Sequence, residues 1–355
     1  QDFQFEQSIV IFPIFAQILA MGGSYTKPAP ITTKYFPDFV AGLPRMEGKV
    51  VAITGCTTGT GFICAKTCAE LGASVIMLNR ASSRSESALA DLKEAVPGCS
   101  AKFIACDLMS FDSVRKAGAE LRKELDGGLD VLCNNAGIMA VKDEATVDGC
   151  DTQMQTNHLS HFLLTAEVWP LLETAVSLRG EARVVNHSSV ARNGFGKKLE
   201  EKYLLKNGGN LGGDGMFWWA SKRWTRYQQT KLANLVFTYA LRDRQDRVKV
   251  LVAHPGFAAT NLQVTTASDG GMGHGASKHS VGMMAQSCED GTMGILKCCC
   301  EPGVTSGDFY GPGAGGFKGK AELIPAGPEE ALADQASRQM LWKASCEVTG
   351  ASFPF

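Results

Sequence analysis

The chain has 355 residues, 35 of them basic and 36 acidic, for a net charge of −1. That balance provides no field to collect nucleic acid or an anionic membrane surface. An apolar share of 45% against 20% charged residues excludes a disordered chain and leaves one large α/β domain or two smaller ones.

Ile9 to Met21 form an apolar run interrupted by Pro13 and Gln17. As a helix it spans about 20 Å, short of the roughly 30 Å hydrocarbon core, so a transmembrane helix is not expected. The basic leader and small-residue cleavage pattern of a secretory signal are missing too. Two readings stay open: an arm packed on the protein's own surface, or an element docked on a membrane face or a partner subunit. A start at Gln1 rather than at methionine adds the expectation of a processed or incompletely assigned amino end, and through it of an organellar location. Prolines 28, 30, 37 and 44 then make an extended connector, which gives an arm over 1–46 and one nucleotide-binding domain over 47–355.

From Lys49 onward short β-rich apolar runs alternate with longer amphipathic stretches. Strands are predicted at Val50–Thr54, Ser74–Asn79, Ala101–Cys106, Leu129–Asn134, Arg183–His187 and Lys249–Ala253. Helices are predicted at Phe62–Leu71, Ser85–Ala95, Phe111–Leu125, Thr156–Ser177 and Tyr227–Arg244. This alternation predicts right-handed βαβ units and a Rossmann-type, doubly wound parallel sheet. Two segments, Arg192–Arg226 and Thr265–Gly319, read as irregular and rich in Gly and polar residues.

Twelve cysteines in so long a chain do not suggest a small disulfide-stapled scaffold. Cys56, Cys64, Cys68, Cys106 and Cys133 lie in or beside apolar runs, where thiols behave as small buried hydrophobes. No Cys-x-x-Cys pair has a matching second pair or nearby histidines, so no metal site is expected and a reducing intracellular compartment is. Cys298-Cys299-Cys300 reads as three reduced thiols in a helix or turn, with acylation or a redox role as the alternative.

After the first strand comes Thr54-Gly55-Cys56-Thr57-Thr58-Gly59-Thr60-Gly61-Phe62, leading into a helix. Gly55, Gly59 and Gly61 permit the turn and let the amides at Thr57, Thr58 and Phe62 approach a pyrophosphate at the helix amino end. The position between a strand and a helix of a βαβ unit separates this loop from an ordinary tight turn. At the end of the second strand an acidic residue would bind the adenosine ribose hydroxyls. Asn79-Arg80 stands there instead, followed by Ser82, Ser83 and Arg84. Arg80 can stack on adenine and pair with a 2′-phosphate, which points to NADP(H) over NAD(H); the plain alternative is a solvated surface charge. Asp107-Leu108, after the third strand, offers an acceptor for the adenine amine.

Asn134-Asn135-Ala136-Gly137, together with the 54–61 loop, Asn157, Ser188-Ser189 and Tyr227-Gln-Gln-Thr-Lys231, resembles the short-chain dehydrogenase/reductase family. The likeness runs from about Lys49 through His254-Pro255-Gly256. Leu341-Trp342 to Phe353 and Ser306–Pro312 are similar to the retinol-dehydrogenase and protochlorophyllide-reductase branch. Residues four apart share one helical face, so Tyr227 can point at a substrate carbonyl while the Lys231 ammonium lies near its phenolate and lowers its pKa. By the resemblance, Ser189 positions the carbonyl, with Ser188 as its neighbouring rival; Asn157 bends a helix and holds a relay water to Lys231. Asn134, Ala136, Gly137, Pro255, Gly256 and Thr260 would line the nucleotide. His158, His161 and His187 lack a carboxylate cluster and read as core or surface histidines.

The expected reaction is hydride transfer between a nicotinamide and a carbonyl or alcohol of a lipophilic substrate, a retinoid, carotenoid, steroid or fatty derivative, which suits the apolar arm and the aromatic loop. Between Ser189 and Tyr227 lie 38 positions of chain (227 − 189), including Gly208 to Gly215, Phe217-Trp218-Trp219 and Trp224. Such a stretch forms a substrate lid, a contact surface or simple packing. Serine at the carbonyl-positioning site departs from the cysteine-bearing pigment reductases and makes photoreduction the minor reading. The alternative from another class is an accessory nucleotide-binding subunit without catalysis, docked on a membrane assembly through residues 9–21.

Overall fold

The computed structural model describes residues 31–196, 198–212, 222–259, 266, 285–313 and 316–355. The apolar arm at 9–21, the aromatic triplet 217–219 and Thr260 lie outside the described residues.

A short helix, α1 (Phe36–Ala41), precedes the alternating units β1 (Val50–Thr54), α2 (Gly59–Glu70), β2 (Ser74–Asn79), α3 (Ser83–Ala95), β3 (Ala101–Ala105) and α4 (Phe111–Glu124). The second half runs β4 (Val131–Asn134), α5 (Ser160–Arg179), β5 (Arg183–His187), α6 (Lys222–Arg242) and β6 (Lys249–Ala253). It closes with α7 (Cys288–Cys300), β7 (Phe309–Pro312), β8 (Ala321–Leu323), α8 (Ala326–Leu332) and α9 (Gln335–Thr349). The strands form one sheet in the order β3-β2-β1-β4-β5-β6-β7-β8, parallel except for β8. Apolar side chains on both faces of β1, β2, β4 and β6 follow from burial between two helical layers. On one face Phe111, Phe162, Trp169, Phe237 and Leu341 pack from α4, α5, α6 and α9. On the other, Cys64, Leu92 and Leu296 pack from α2, α3 and α7, with Phe36 and Phe39 of α1 against them.

The order in which the chain adds strands reverses between β1 and β4, the place where a doubly wound sheet opens a crevice at its carboxyl edge. The Rossmann-type reading of the sequence therefore holds, with local differences. Helix α2 starts three residues earlier than expected, because Gly59-Thr60-Gly61 form its first turn. A helical turn at Thr152–Met154 and a π-helical turn at Gln155–Leu159 lead into α5, where one continuous helix was expected from Thr156. Helix α6 begins at Lys222, so Tyr227 sits inside the helix rather than at its start.

The largest correction concerns Thr265–Gly319, read as irregular, which contains α7 and β7. Glycines at 291 and 294 lower helix propensity there and hide the pattern. Packing requires them: a Cβ on Gly291 would stand 2.6 Å from the Ala258 side chain, and one on Gly294 would stand 3.2 Å from the Tyr310 carbonyl. Cys298, Cys299 and Cys300 thus end a buried helix. All twelve cysteines are free thiols.

Candidate active site

The loop after β1 is braced from three sides. Gly55 has φ +71°, and a Cβ on it would meet Ala136 at 2.9 Å. A Cβ on Gly61 would stand 2.2 Å from the Gly55 carbonyl oxygen and 2.4 Å from Asn135 Nδ2. The Asn135 amide donates to the Thr54 carbonyl at 2.9 Å and its oxygen accepts from the Thr60 hydroxyl at 3.1 Å. The Cys56 amide donates to Asn79 Oδ1 at 2.7 Å. Thr58, at the N-cap of α2, makes no side-chain cap, and Thr57, Thr58 and Phe62 are partly or fully exposed beside the first-turn amides. A helix amino end of this kind suits an anion.

Asn79 and Arg80 close β2. Asn79 is buried, and its Nδ2 has no partner. Arg80 is exposed at the same edge. Asp107 is half-buried and accepts from the Met109 amide at 3.0 Å, while Leu108 is buried and its carbonyl accepts from Ser160.

At the carboxyl end of β5 the two serines diverge. The Ser188 hydroxyl donates to the Lys231 carbonyl at 2.8 Å, so it belongs to the packing of α6. Ser189 is partly exposed, accepts from the Ala191 amide at 3.2 Å and stands near enough to Tyr227 to favour its phenolate. One turn further along α6, Lys231 Nζ donates to the His187 carbonyl at 3.1 Å and lies 5.9 Å from the centre of the Tyr227 ring. A Cβ on Gly137 would be 3.2 Å from Asn157 Oδ1 and 3.3 Å from Lys231 Nζ, so Gly137 admits both groups. Asn157 occupies the π turn; its oxygen accepts from the Ile138 amide at 2.8 Å and its nitrogen donates to the Ile138 carbonyl and the Thr230 hydroxyl, each at 2.9 Å. It thereby ties the Asn134–Ile138 loop to the Tyr227 helix. A π turn at such a junction is a frequent mark of a functional site.

The electrostatics correct one expectation. Burial pushes the Tyr227 hydroxyl up to about 12, and the neighbouring Ser189 hydroxyl only partly opposes it. The net shift therefore runs against the expected lowering by Lys231, whose ammonium donates to the His187 carbonyl and stands 5.9 Å from the ring centre. Burial also brings Lys231 down to about 8. The phenol is thus a proton donor at neutral pH, and the amine titrates close to it.

The Asn134 side-chain nitrogen donates inside the sheet to Asn186 Oδ1 at 3.0 Å and Thr165 Oγ1 at 3.2 Å, while its buried oxygen has no partner. The neighbouring Asn135, which the sequence reading passed over, braces the phosphate loop. Its signal was available in the doubled asparagine, since alternate strand residues face opposite sides. Pro255 and Gly256 follow β6; the Pro255 carbonyl accepts from Gln286 Nε2 at 2.7 Å, and a Cβ on Gly256, at φ +63°, would collide with the Phe317 carbonyl at 2.4 Å. Burial holds His158, His161 and His187 as neutral imidazoles at about 3, 4 and 3. Among the described residues one group could ligate a metal: Cys64, Cys133 and Cys299, whose sulfurs lie within 4.8 Å of one another. All are fully enclosed in the apolar layer between the sheet, α2 and α7, where burial favours neutral thiols.

The family model for short chain dehydrogenases matches residues 49–198. The chain is 33% identical over 247 residues to the short-chain dehydrogenase/reductase drtF of Aspergillus calidoustus, covering 65% of this chain and 74% of that one. It is 37% identical over 232 residues to human retinol dehydrogenase 14, covering 61% of this chain and 64% of that one. Its alignment likewise spans only 61% of human retinol dehydrogenase 13, less than two thirds of that protein's length. Among solved structures, an uncharacterized protein from Mycobacterium Paratuberculosis superposes with a TM-score of 0.66 at 29% identity, covering 89% of this chain and 98% of that one. A short chain dehydrogenase from Shigella flexneri, solved as a complex with NADP, shares the fold at a TM-score of 0.55 and 18% identity, over 74% and 96% of the two chains.

A doubly wound sheet with a phosphate loop at its switch point and a Ser–Tyr pair at its carboxyl edge defines a nucleotide-dependent oxidoreductase. The chain belongs to the short-chain dehydrogenase/reductase family, in its retinol dehydrogenase-like branch. No helix among the described residues is long and apolar enough to cross a membrane.

Proposed function

We propose that this oxidoreductase uses NADP(H) to interconvert a lipophilic carbonyl and its alcohol, with Tyr227 as proton donor, Ser189 holding the substrate oxygen and Lys231 supporting the pair. The observation that carries this reading is the partly exposed Ser189 beside the buried, protonated Tyr227, with Lys231 one turn along the same helix. When bound, the nicotinamide supplies or accepts the hydride. The residues present fit such a group. The buried Asn79 Nδ2 lacks a partner where an adenosine ribose would offer acceptors. The open amides of α2 suit the pyrophosphate beside Gly59 and Gly61, and Arg80 supplies a cation for a 2′-phosphate.

The protein's own work is positioning and proton movement. Ser189 and Tyr227 both offer hydrogen bonds to the oxygen on which negative charge grows during reduction. Tyr227 gives up its proton there. Lys231, near its midpoint at slightly alkaline pH, stabilises the phenolate that results. Asn157 keeps the Gly137 loop at the distance that lets Lys231 reach the site.

A lipophilic substrate is favoured by the surroundings of Tyr227, where Met139, Ala140, Ala191 and Ala285 form an apolar cluster joined by Trp224 and Phe257. Trp224 stands edge-on to the Tyr227 ring at 5.9 Å. Relatives named retinol dehydrogenases support the same class of substrate. The convergence of Ser189, Tyr227, Lys231 and Asn157 gives the accessory-subunit reading no support. The test is anaerobic NADPH oxidation with retinaldehyde and medium-chain aldehydes, beside the same assay with NADH. Turnover with NADPH is expected; no turnover with any carbonyl, or a preference for NADH, refutes the corresponding part.

A further inference from the structure

Ahead of the domain, the connector is not loosely attached. Asp290, buried in the first turn of α7, accepts hydrogen bonds from three successive backbone amides, those of Lys34, Tyr35 and Phe36, each at 2.9 Å. Thr33 adds a hydroxyl bond to Glu289 at 3.2 Å. Tyr35 and Phe36 open α1, so a carboxylate from a distant helix caps the amino end that its own sequence leaves without a side-chain cap. Asp290 is itself held, since its amide donates to the Ser287 hydroxyl at 3.0 Å. A buried carboxylate is tolerated when its lone pairs are used in this way, and the connector supplies the donors.

Two residues before Thr33, Ile31 packs against the apolar cluster formed by Met139, Ala191, Ala285 and Tyr227, alongside Phe257. The strip beneath it is knitted by backbone bonds: Ala259 to Gln286 at 3.0 Å, Gln286 to Phe257 at 2.9 Å and Phe257 to Phe317 at 2.7 Å, donor first. These bonds join the loop after β6, the entry to α7 and the residues after β7 into one platform. Ile31 packs against the same apolar cluster that contains Tyr227.

We infer that the connector forms a wall of the substrate pocket, with Ile31 a specificity-determining side chain beside Tyr227 and Asp290 the positioning residue that fixes it there. This rests on the carbonyl reductase reading given above. A segment outside the nucleotide-binding fold then sets how large an apolar substrate the site admits.

The full chain carrying Ile31→Trp or Ile31→Ala tests it, through the ratio of kcat/KM for decanal over propanal with NADPH. Ile31→Trp is expected to lower the ratio about 10-fold and Ile31→Ala to raise it at least about 3-fold, the scale of one or two methylene-sized changes in a pocket. NADPH affinity should stay constant in both. Asp290→Ala is expected to speed hydrogen exchange at the amides of 34–36 and to move the ratio in the direction of Ile31→Ala. Active Ile31 variants with an unchanged ratio would overturn the inference and leave the carbonyl reductase reading standing. Faster exchange in Asp290→Ala with an unchanged ratio would overturn the role of Asp290. A wild-type protein inactive on every aldehyde would overturn both readings together.

Discussion

The ammonium of Lys231 donates to the backbone carbonyl of His187, at the end of β5, at 3.1 Å. This bond joins the helix that carries Tyr227 to the strand that leads into Ser189, and it costs the protein a buried charge. Burial brings Lys231 to about 8 from its ordinary 10.5. Below pH 8 both folded and unfolded chains hold the proton, and the folded state carries the full cost. Between about pH 8 and 10.5 only the unfolded chain keeps it, so this group makes stability rise with pH through that window. Lys231→Met should flatten the rise, and at pH 7 it should be more stable than the wild type by on the order of 2 kcal/mol. It should lose turnover at the same time. Urea titrations at pH 7, 9 and 10 measure the first effect; a variant less stable at pH 7 contradicts it.

Four buried histidines act in the opposite pH range. His158, His161 and His187 are lowered to about 3, 4 and 3, and His254 is also lowered well below its usual value, each chiefly by burial. Their contribution is complete above pH 6.5 and is lost as pH falls toward the folded values, because the unfolded chain takes up protons first. Each can contribute up to about 1.4 kcal/mol per pH unit. His158→Leu should reduce the slope of stability between pH 4 and 6 by about that amount. Equal slopes in the two proteins would show that His158 is not held neutral.

Cofactor choice is expected to rest on Arg80, exposed at the end of β2. Arg80→Ala should lower kcat/KM for NADPH by about 10- to 100-fold, the loss of one or two charge-assisted bonds, while NADH changes little. An equal fall for both nucleotides would place Arg80 outside 2′-phosphate recognition.

The phosphate loop has no spare volume at Gly61. A Cβ there meets a backbone oxygen at 2.2 Å, which no side-chain rotation relieves. Gly61→Ala should therefore weaken NADPH binding at least about 10-fold and lower stability by about 1–3 kcal/mol. Isothermal titration and thermal unfolding check both effects; wild-type values in both would mean that the loop opens freely.

Most of the candidate site was legible from residue order because the residues that compose it are local. Gly55, Gly59 and Gly61 lie between a predicted strand and helix, and Tyr227 and Lys231 share one helical face, so spacing alone brings each set together. Four of the six predicted strands keep their predicted bounds. What escaped depends on contacts across long sequence separations. Asn135 reaches Thr54, Gly55 and Thr60 only after β4 lies beside β1. The buried environment that holds Tyr227 as a phenol comes from residues as distant as Met139 and Ala285. Helix α7 was hidden by glycines whose use appears only when Ala258 and Tyr310 are seen against them. The Asp290 anchor spans 254 to 256 positions and leaves no periodic trace.

The central claim is that Tyr227 delivers a proton to a carbonyl oxygen that it shares with Ser189, and Tyr227→Phe tests it most directly. Removal of one hydroxyl should reduce kcat/KM for NADPH-driven aldehyde reduction by at least about 100-fold, the usual minimum for a positioned general acid. NADPH affinity, measured on the same sample by fluorescence titration, should stay within about two-fold, since the hydroxyl acts on the substrate oxygen rather than on the nucleotide phosphates. Turnover at the wild-type rate in Tyr227→Phe would contradict the account.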